Sequence, residues 1–306
     1  MPRKIIIGYE PTSQGLDALQ LGEVLAETLA ARPVITTVLP WPEYLMNEDD
    51  LEQALAIDTA EIFAVARDRL GALDPETRAI ANTSPAEALY DLADREHALL
   101  IVVGSTHRGA LGRVLPGSVG VSLLHGSPCA VAVAPGDYAA RAEHRLQHMA
   151  VAFDGSPEAW AALETGIGLA EQVHAAFTVL AVAEPTHYGY AASLSALTAG
   201  EYRTYEQEAK RRALDAAVAR APANLAVEAR LMNGDAGALL AEASGEFDLL
   251  LIGSRAYGPL RRTLLGSVAA KVMDRAACPV LVLPRGAGMD PMQTQQAFGQ
   301  RDRVTG

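Results

Sequence analysis

The chain has 306 residues, half of them hydrophobic, and a formal net charge of −12. That length suits about two domains, each with a sizeable core. The acidic balance argues against a nucleic-acid-binding protein, which needs a basic face for phosphates, and against anionic membranes, but not against a small anion in a local pocket.

Met1-Pro2-Arg3-Lys4 runs straight into Ile5, Ile6 and Ile7, a β-branched run closed by Gly8-Tyr9-Glu10-Pro11. An apolar run bounded by turn residues predicts a strand buried on both faces, as in a parallel sheet. Thr12 or Ser13 then caps a helix over about 14–31, whose apolar stripe includes Leu16, Leu19, Leu21, Val24, Leu25 and Leu29. A second strand spans 33–39. Pro40-Trp41-Pro42 stops it, and a long amphipathic helix covers about 49–70. A weak strand at 79–81, a helix over 85–95 and a strong buried strand at 99–103 follow. A glycine-rich loop, a helix over 118–125 and a strand at 130–134 complete this half.

Residues 136–147 are polar and read as a linker. The pattern then restarts: a strand at 149–153, a helix opened by Ser156-Pro157, and a strand at 177–182. A long helix over 201–220, a strand at 227–231, a helix to about 244 and strands at 249–252 and 280–283 follow. Residues 285–306 have no periodicity and are expected to be disordered. Strand–helix alternation with helices long enough for crossovers predicts an α/β fold: parallel sheets with helices on both faces. The expected divisions are a first domain over 1–136, a linker over 137–147, a second domain over 148–285 and a tail over 286–306.

The repeat is plainest around the glycine loops. Residues 253–284 match 104–135, with identities at Gly104, Ser105, Gly109, Leu111, Arg113, Leu115, Gly117, Ser118, Val119, Cys129, Val131, Val133 and Pro135. Each loop follows a buried strand and precedes a helix. In open α/β sheets, ligands bind beyond the carboxyl ends of the strands. Glycines allow close backbone approach, and a helix start offers N–H groups to phosphate. Neither copy ends in Gly-Lys-Ser/Thr, so neither is a P-loop, and strong phosphoryl-transfer catalysis is not implied.

The run Ala152-Phe153-Asp154-Gly155-Ser156, then Gly253-Ser254-Arg255, then Gly266-Ser267-Val268, resembles the universal stress protein family over nearly the whole chain, as two tandem domains. The resemblance implies five-stranded parallel sheets in the order 3-2-1-4-5. It implies ATP or AMP as ligand in many members, with Mg2+ as a candidate companion, and no general catalytic reaction. Carried over residue by residue, it assigns Gly253, Gly266 and Ser267 to phosphate and ribose. Asp154 falls to the nucleoside and Val182 to adenine, with Arg255 and Val268 beside them. The first half offers Gly104, Gly117, Ser118, Val119, Glu10 and Val38. The motif's second glycine is Ala256 in the second half and His107 in the first. The second half is therefore the better nucleotide candidate.

Other readings stay open beside these. Asp154 and Glu10 also suit helix N-termini without any ligand, and Ser118 and Ser267 suit helix caps. Arg108, Arg113, Arg255, Arg261 and Arg262 read first as solvated loop charges, and the Glu206/Lys210 pair as a solvated helix face. Ordinary packing is the first reading for Tyr188, Tyr190, Tyr202 and Tyr205, a wall over adenine the second. The seven histidines lack metal-ligand spacing. Cys129 and Cys278 read as buried small hydrophobes. No signal peptide or membrane-length apolar run stands out, so a cytoplasmic location is expected. Strand five is an apolar edge in each half, and the resemblance makes it a dimer contact. An intramolecular pseudo-dimer through strand five is expected, with a homodimer as a further option. In function, an adenine-nucleotide-binding stress or signalling protein leads. Behind it stand a slow ATPase based on Asp154 or Asp235, and a scaffold that binds no nucleotide.

Overall fold

The computed structural model describes residues 3–39, 48–106, 114, 116–125, 127–184, 199–254 and 266–284. Its first half runs β1 (Lys4–Gly8), α1 (Ser13–Leu29), β2 (Arg32–Leu39), α2 (Glu48–Leu70), β3 (Glu76–Ala81), α3 (Pro85–Arg95), β4 (Leu100–Gly104), α4 (Ser118–Leu124) and β5 (Ala130–Ala134). The second runs β6 (His148–Ala152), α5 (Pro157–Val173), β7 (Ala176–Ala183), α6 (Ala199–Val218), β8 (Val227–Asn233), α7 (Ala236–Ala243), β9 (Leu249–Gly253), α8 (Ser267–Met273) and β10 (Val280–Leu283).

The ten strands form one sheet in the order β3-β2-β1-β4-β5-β10-β9-β6-β7-β8. Each half is therefore a parallel sheet in the order 3-2-1-4-5. The halves meet where β5 and β10 pair antiparallel, with Val280 opposite Val133 and Val282 opposite Val131. Strand five is thus already paired within the chain. The free edges, β3 and β8, carry Glu76 with Arg78 and Glu228 with Arg230, the charged dressing that discourages edge pairing.

The central strands are apolar on both faces because helices cover both. Ile5 and Ile7 pack in one core with Leu19 and Leu25 of α1 and Phe63 of α2; the same core continues through Met149, Val151 and Leu163 of α5. Ile6 faces the opposite core, with Leu89 and Leu92 of α3, Leu123 of α4, Leu240 of α7 and Met273 of α8. Both cores cross the junction between the halves, so the two domains share their interiors.

The weak strand expected at 79–81 begins three residues earlier, at Glu76. Its first residues are charged and give no apolar signal, because an edge strand leaves them to water and ion pairs. Cys129 and Cys278 are buried free thiols, and burial pushes each up to about 12, as suits inert packing. The 285–306 tail lies outside the described residues. Among the described residues no helix is long and apolar enough to cross a membrane.

The segment read as a linker is packed against the first half. Tyr138–Ala140 forms a short 3-10 turn, with Tyr138 buried. Asp17 of α1, itself buried, accepts hydrogen bonds from the backbone N–H groups of Asp137 at 3.0 Å and Ala139 at 2.8 Å. Arg141 lies over the Tyr138 ring and donates to the Ala277 carbonyl at 2.7 Å. The connection between the halves is thereby fastened to both.

Candidate functional site

Each half opens a cleft at the carboxyl ends of its strands. Cleft 1, about 310 Å³, is lined by Glu10, Val38, Gly104, Gly117, Ser118 and Val119 together with Tyr9, Thr12, Gln14 and Thr36. Cleft 2, about 200 Å³, is lined by Asp154, Val182, Gly253, Gly266, Ser267 and Val268. Twelve of the fifteen residues singled out from the sequence thus converge on two places. The other three, His107, Arg255 and Ala256, lie outside the described residues, as do Arg108, Arg113, Arg261 and Arg262.

The floor of each cleft is a strand-to-helix turn. In the second half, Ser156 caps α5, its hydroxyl accepting from Ala159 N–H at 3.2 Å. One carboxylate oxygen of Asp154 accepts from Ser156 N–H at 2.9 Å, and Gly155 takes φ +85°, which suits glycine. Asp154 therefore shapes the turn while it lines the cleft. In the first half Thr12 caps α1 through Gly15 N–H at 3.1 Å, but Thr12 N–H donates to the Glu10 carbonyl at 2.7 Å, not to a side chain. Glu10 is exposed at the rim.

The two glycine pairs differ in what requires them. A Cβ on Gly253 would stand 2.5 Å from the carbonyl oxygen of Glu158, and one on Gly104 would collide with the carbonyl of Gln14. These glycines let the first helical turn press against the end of β9 or β4. A Cβ on Gly266 would meet nothing within 4 Å, and one on Gly117 only Thr106 at 3.7 Å. Both have ordinary negative φ, −64° and −68°. No packing among the described residues asks for glycine at either place.

Cleft 2 also contains residues that sequence reasoning set aside. Glu184, Glu206 and Lys210 line it. Glu206 and Lys210 read as a solvated helix face, yet they continue the stripe of α6 that ends in buried Leu214 and Ala217. The signal was in the spacing: a buried stripe that turns polar toward one end of its helix faces something other than core. Glu184 accepts from Ala236 N–H at 3.0 Å at the start of α7. Asp235, considered as a catalytic base, caps that helix through Ala238 N–H at 2.8 Å and pairs with Lys271 at 2.7 Å. That hydrogen bond to Lys271 holds its carboxyl below the usual range, and the residue is not on the cleft wall. Tyr205 is exposed, whereas Tyr188, Tyr190 and the Tyr202 side chain lie outside the described residues. No group of three or more His, Cys, Asp or Glu among the described residues is placed to hold a metal.

Two doubly wound α/β units, each with an open cleft at the carboxyl edge of its sheet, define the class. The universal stress protein family matches residues 1–135 and again 145–284, and the chain belongs to that family. A universal stress protein of Mycobacterium tuberculosis H37Rv is 26% identical over 294 residues, covering 92% of this chain and 99% of the relative. One from Mycolicibacterium smegmatis is 31% identical over 213 residues, covering 67% of each. Among solved structures, a universal stress protein from Archaeoglobus fulgidus superposes with a TM-score of 0.67 at 18% identity, covering 92% of this chain and 98% of that one.

Proposed function

We propose that this universal stress protein binds adenine nucleotide at cleft 2, and at cleft 1 with different affinity, and that occupancy alters a surface or domain interface read by a partner. The observation that carries the reading is Gly266. Its missing side chain serves no packing among the described residues and leaves room at the wall of cleft 2, as a close-approaching phosphate requires. Gly253, Ser267 and Val268 stand beside it, Asp154 lies at the centre, and Val182 is on the far wall. The hydroxyl of Ser267 is exposed and able to donate to a phosphate oxygen. Any Mg2+ would arrive on the phosphates of the ligand. Calorimetry of the full chain with ATP, AMP and cyclic AMP, with mass spectrometry of co-purifying nucleotide, tests the reading. Gly266→Asp is expected to remove one binding site without lowering the melting temperature. Unchanged stoichiometry and affinity would refute the assignment of cleft 2.

A further inference from the structure

We infer that cleft 2 selects its ligand's base by accepting a hydrogen bond from an exocyclic amine at Glu206. The inference rests on the nucleotide reading above and adds to it a residue and a rule of preference.

The strand order β10-β9-β6-β7-β8 gives cleft 2 two ends. Gly253, Gly266 and Ser267 belong to the β9 end and Asp154 to the middle; Val182 and Glu184 belong to the β7 end. Helix α6 packs on β7 and β8 and brings Glu206 to that same far wall. One of its carboxylate oxygens, Oε2, is buried and has no hydrogen-bond partner among the described residues. An acceptor shut away from water without a donor is costly, so the cleft is finished by a group that supplies an N–H or O–H there. A ligand whose phosphates lie toward Gly266 presents its base to this wall. Adenine carries an amine where hypoxanthine carries a carbonyl oxygen, on the same purine frame. The amine satisfies Glu206; the carbonyl oxygen faces it lone pair to lone pair. Lys210, one turn along α6 on the same wall, favours the opposite choice, so the two side chains make opposite predictions. The burial of Oε2 decides for Glu206, since the unmet requirement is for a donor. In cleft 1, Glu10 at the rim is the only acid among the described lining residues, and no such preference is expected.

The test uses the full chain carrying Gly117→Asp, which fills cleft 1 so that cleft 2 is read alone. Calorimetry should find ATP binding about tenfold or more tightly than ITP, the scale of one hydrogen bond to a charged group. Glu206→Gln, whose amide both donates and accepts, should bring the two affinities within about threefold. It should not lower the ligand-free melting temperature, because it relieves an acceptor that no described group satisfies; Glu206→Ala should abolish the preference by a different route. Equal affinities in the parent, a preference for ITP, or a ratio that survives both substitutions would overturn the inference and leave the nucleotide reading standing. Binding of neither nucleotide would remove both.

Discussion

At equivalent places, the floor of cleft 1 carries Tyr9 and Thr36, and that of cleft 2 carries Phe153 and Leu180. The equivalence is fixed by hydrogen bonding: Tyr9 N–H donates to the Thr36 carbonyl at 2.9 Å, and Phe153 N–H to the Leu180 carbonyl at 2.8 Å. Tyr9 and Phe153 both pack into the core beneath their clefts, so the difference at this level is Thr36 in one half against Leu180 in the other. Cleft 2 adds Glu184, Glu206 and Lys210 to Asp154 among its lining residues, where Glu10 is the one charged residue described in the lining of cleft 1. The glycine framework was duplicated and kept, whereas the surface that would meet the rest of a ligand diverged. Likeness in the loops is thus no guide to likeness in what the two clefts hold.

The largest effect expected separates the two glycines of one cleft. Gly253→Ala sets a methyl against the Glu158 carbonyl, and a backbone carbonyl in a helix cannot step aside as a flexible side chain can. The expected loss is about 2–3 kcal/mol of stability, seen as a lowered ligand-free melting temperature. Gly266→Ala meets open space and should melt within about 0.5 kcal/mol of the parent while weakening nucleotide binding. If Gly253→Ala melts like the parent, close helix–strand contact is not what that glycine provides.

A second difference lies in the fastening of the connection. Asp17 in α1 holds the Tyr138–Ala140 turn through two N–H groups; α5 has Ala161 at the equivalent place, a side chain with no acceptor to offer. Burial raises the Asp17 carboxyl above its ordinary range, against the lowering by the Ala139 and Asp137 N–H groups. A carboxyl raised on folding contributes stability below its unfolded pKa and loses it as pH rises through the folded value. Asp17→Asn keeps the shape but offers one acceptor oxygen to two donors. It should cost about 1–3 kcal/mol at neutral pH and flatten that part of the pH profile. Hydrogen exchange should show the loss first at Asp137 and Ala139.

What the sequence disclosed follows from where each kind of signal arises. Ile5 to Ile7 and 99–103 announce buried parallel strands because both faces are apolar, and the repeat of 104–135 at 253–284 announces the duplication. Residues bound to the end of a strand or the start of a helix, such as Asp154, Gly253 and Ser267, sit at fixed places in the repeat, so the sequence alone singles them out as candidates, and they line cleft 2. Glu206 and Lys210 are not singled out, because they come to the cleft from a helix whose register is set by packing on β7 and β8, not by any motif. The docking of Asp17 was hidden for a related reason. A lone aspartate in an apolar helical stripe shows its partner only once the chain has returned more than a hundred residues later.

The smallest effect expected is at the opposite ends of the strands. In the first half Glu76 is held by Lys4 at 3.0 Å and by Arg32 at 2.9 Å, with Arg78 at 3.0 Å and Glu96 joining through Lys4 at 2.7 Å. Its counterpart Glu228 has Arg230 at 3.8 Å. Where Lys4 stands opposite Arg32, the second half places His148 opposite Ala176. The hydrogen bond from Lys4 leads the influences that hold the Glu76 carboxyl below its usual range, and the hydrogen bonds to Glu96 first and Glu76 second in turn raise Lys4. A carboxyl lowered on folding contributes stability above its unfolded pKa, about 4.3, and loses it as pH falls through the folded value. Glu76→Gln should therefore cost under about 1 kcal/mol at pH 7, as partly exposed pairs do, and nothing once the pH lies below the folded value. The parent and variant melting curves should converge on acidification. Glu228→Gln, tested alongside, should show less of that convergence; equal slopes for the two would mean that the first half's ion cluster adds nothing to what a single exposed pair supplies.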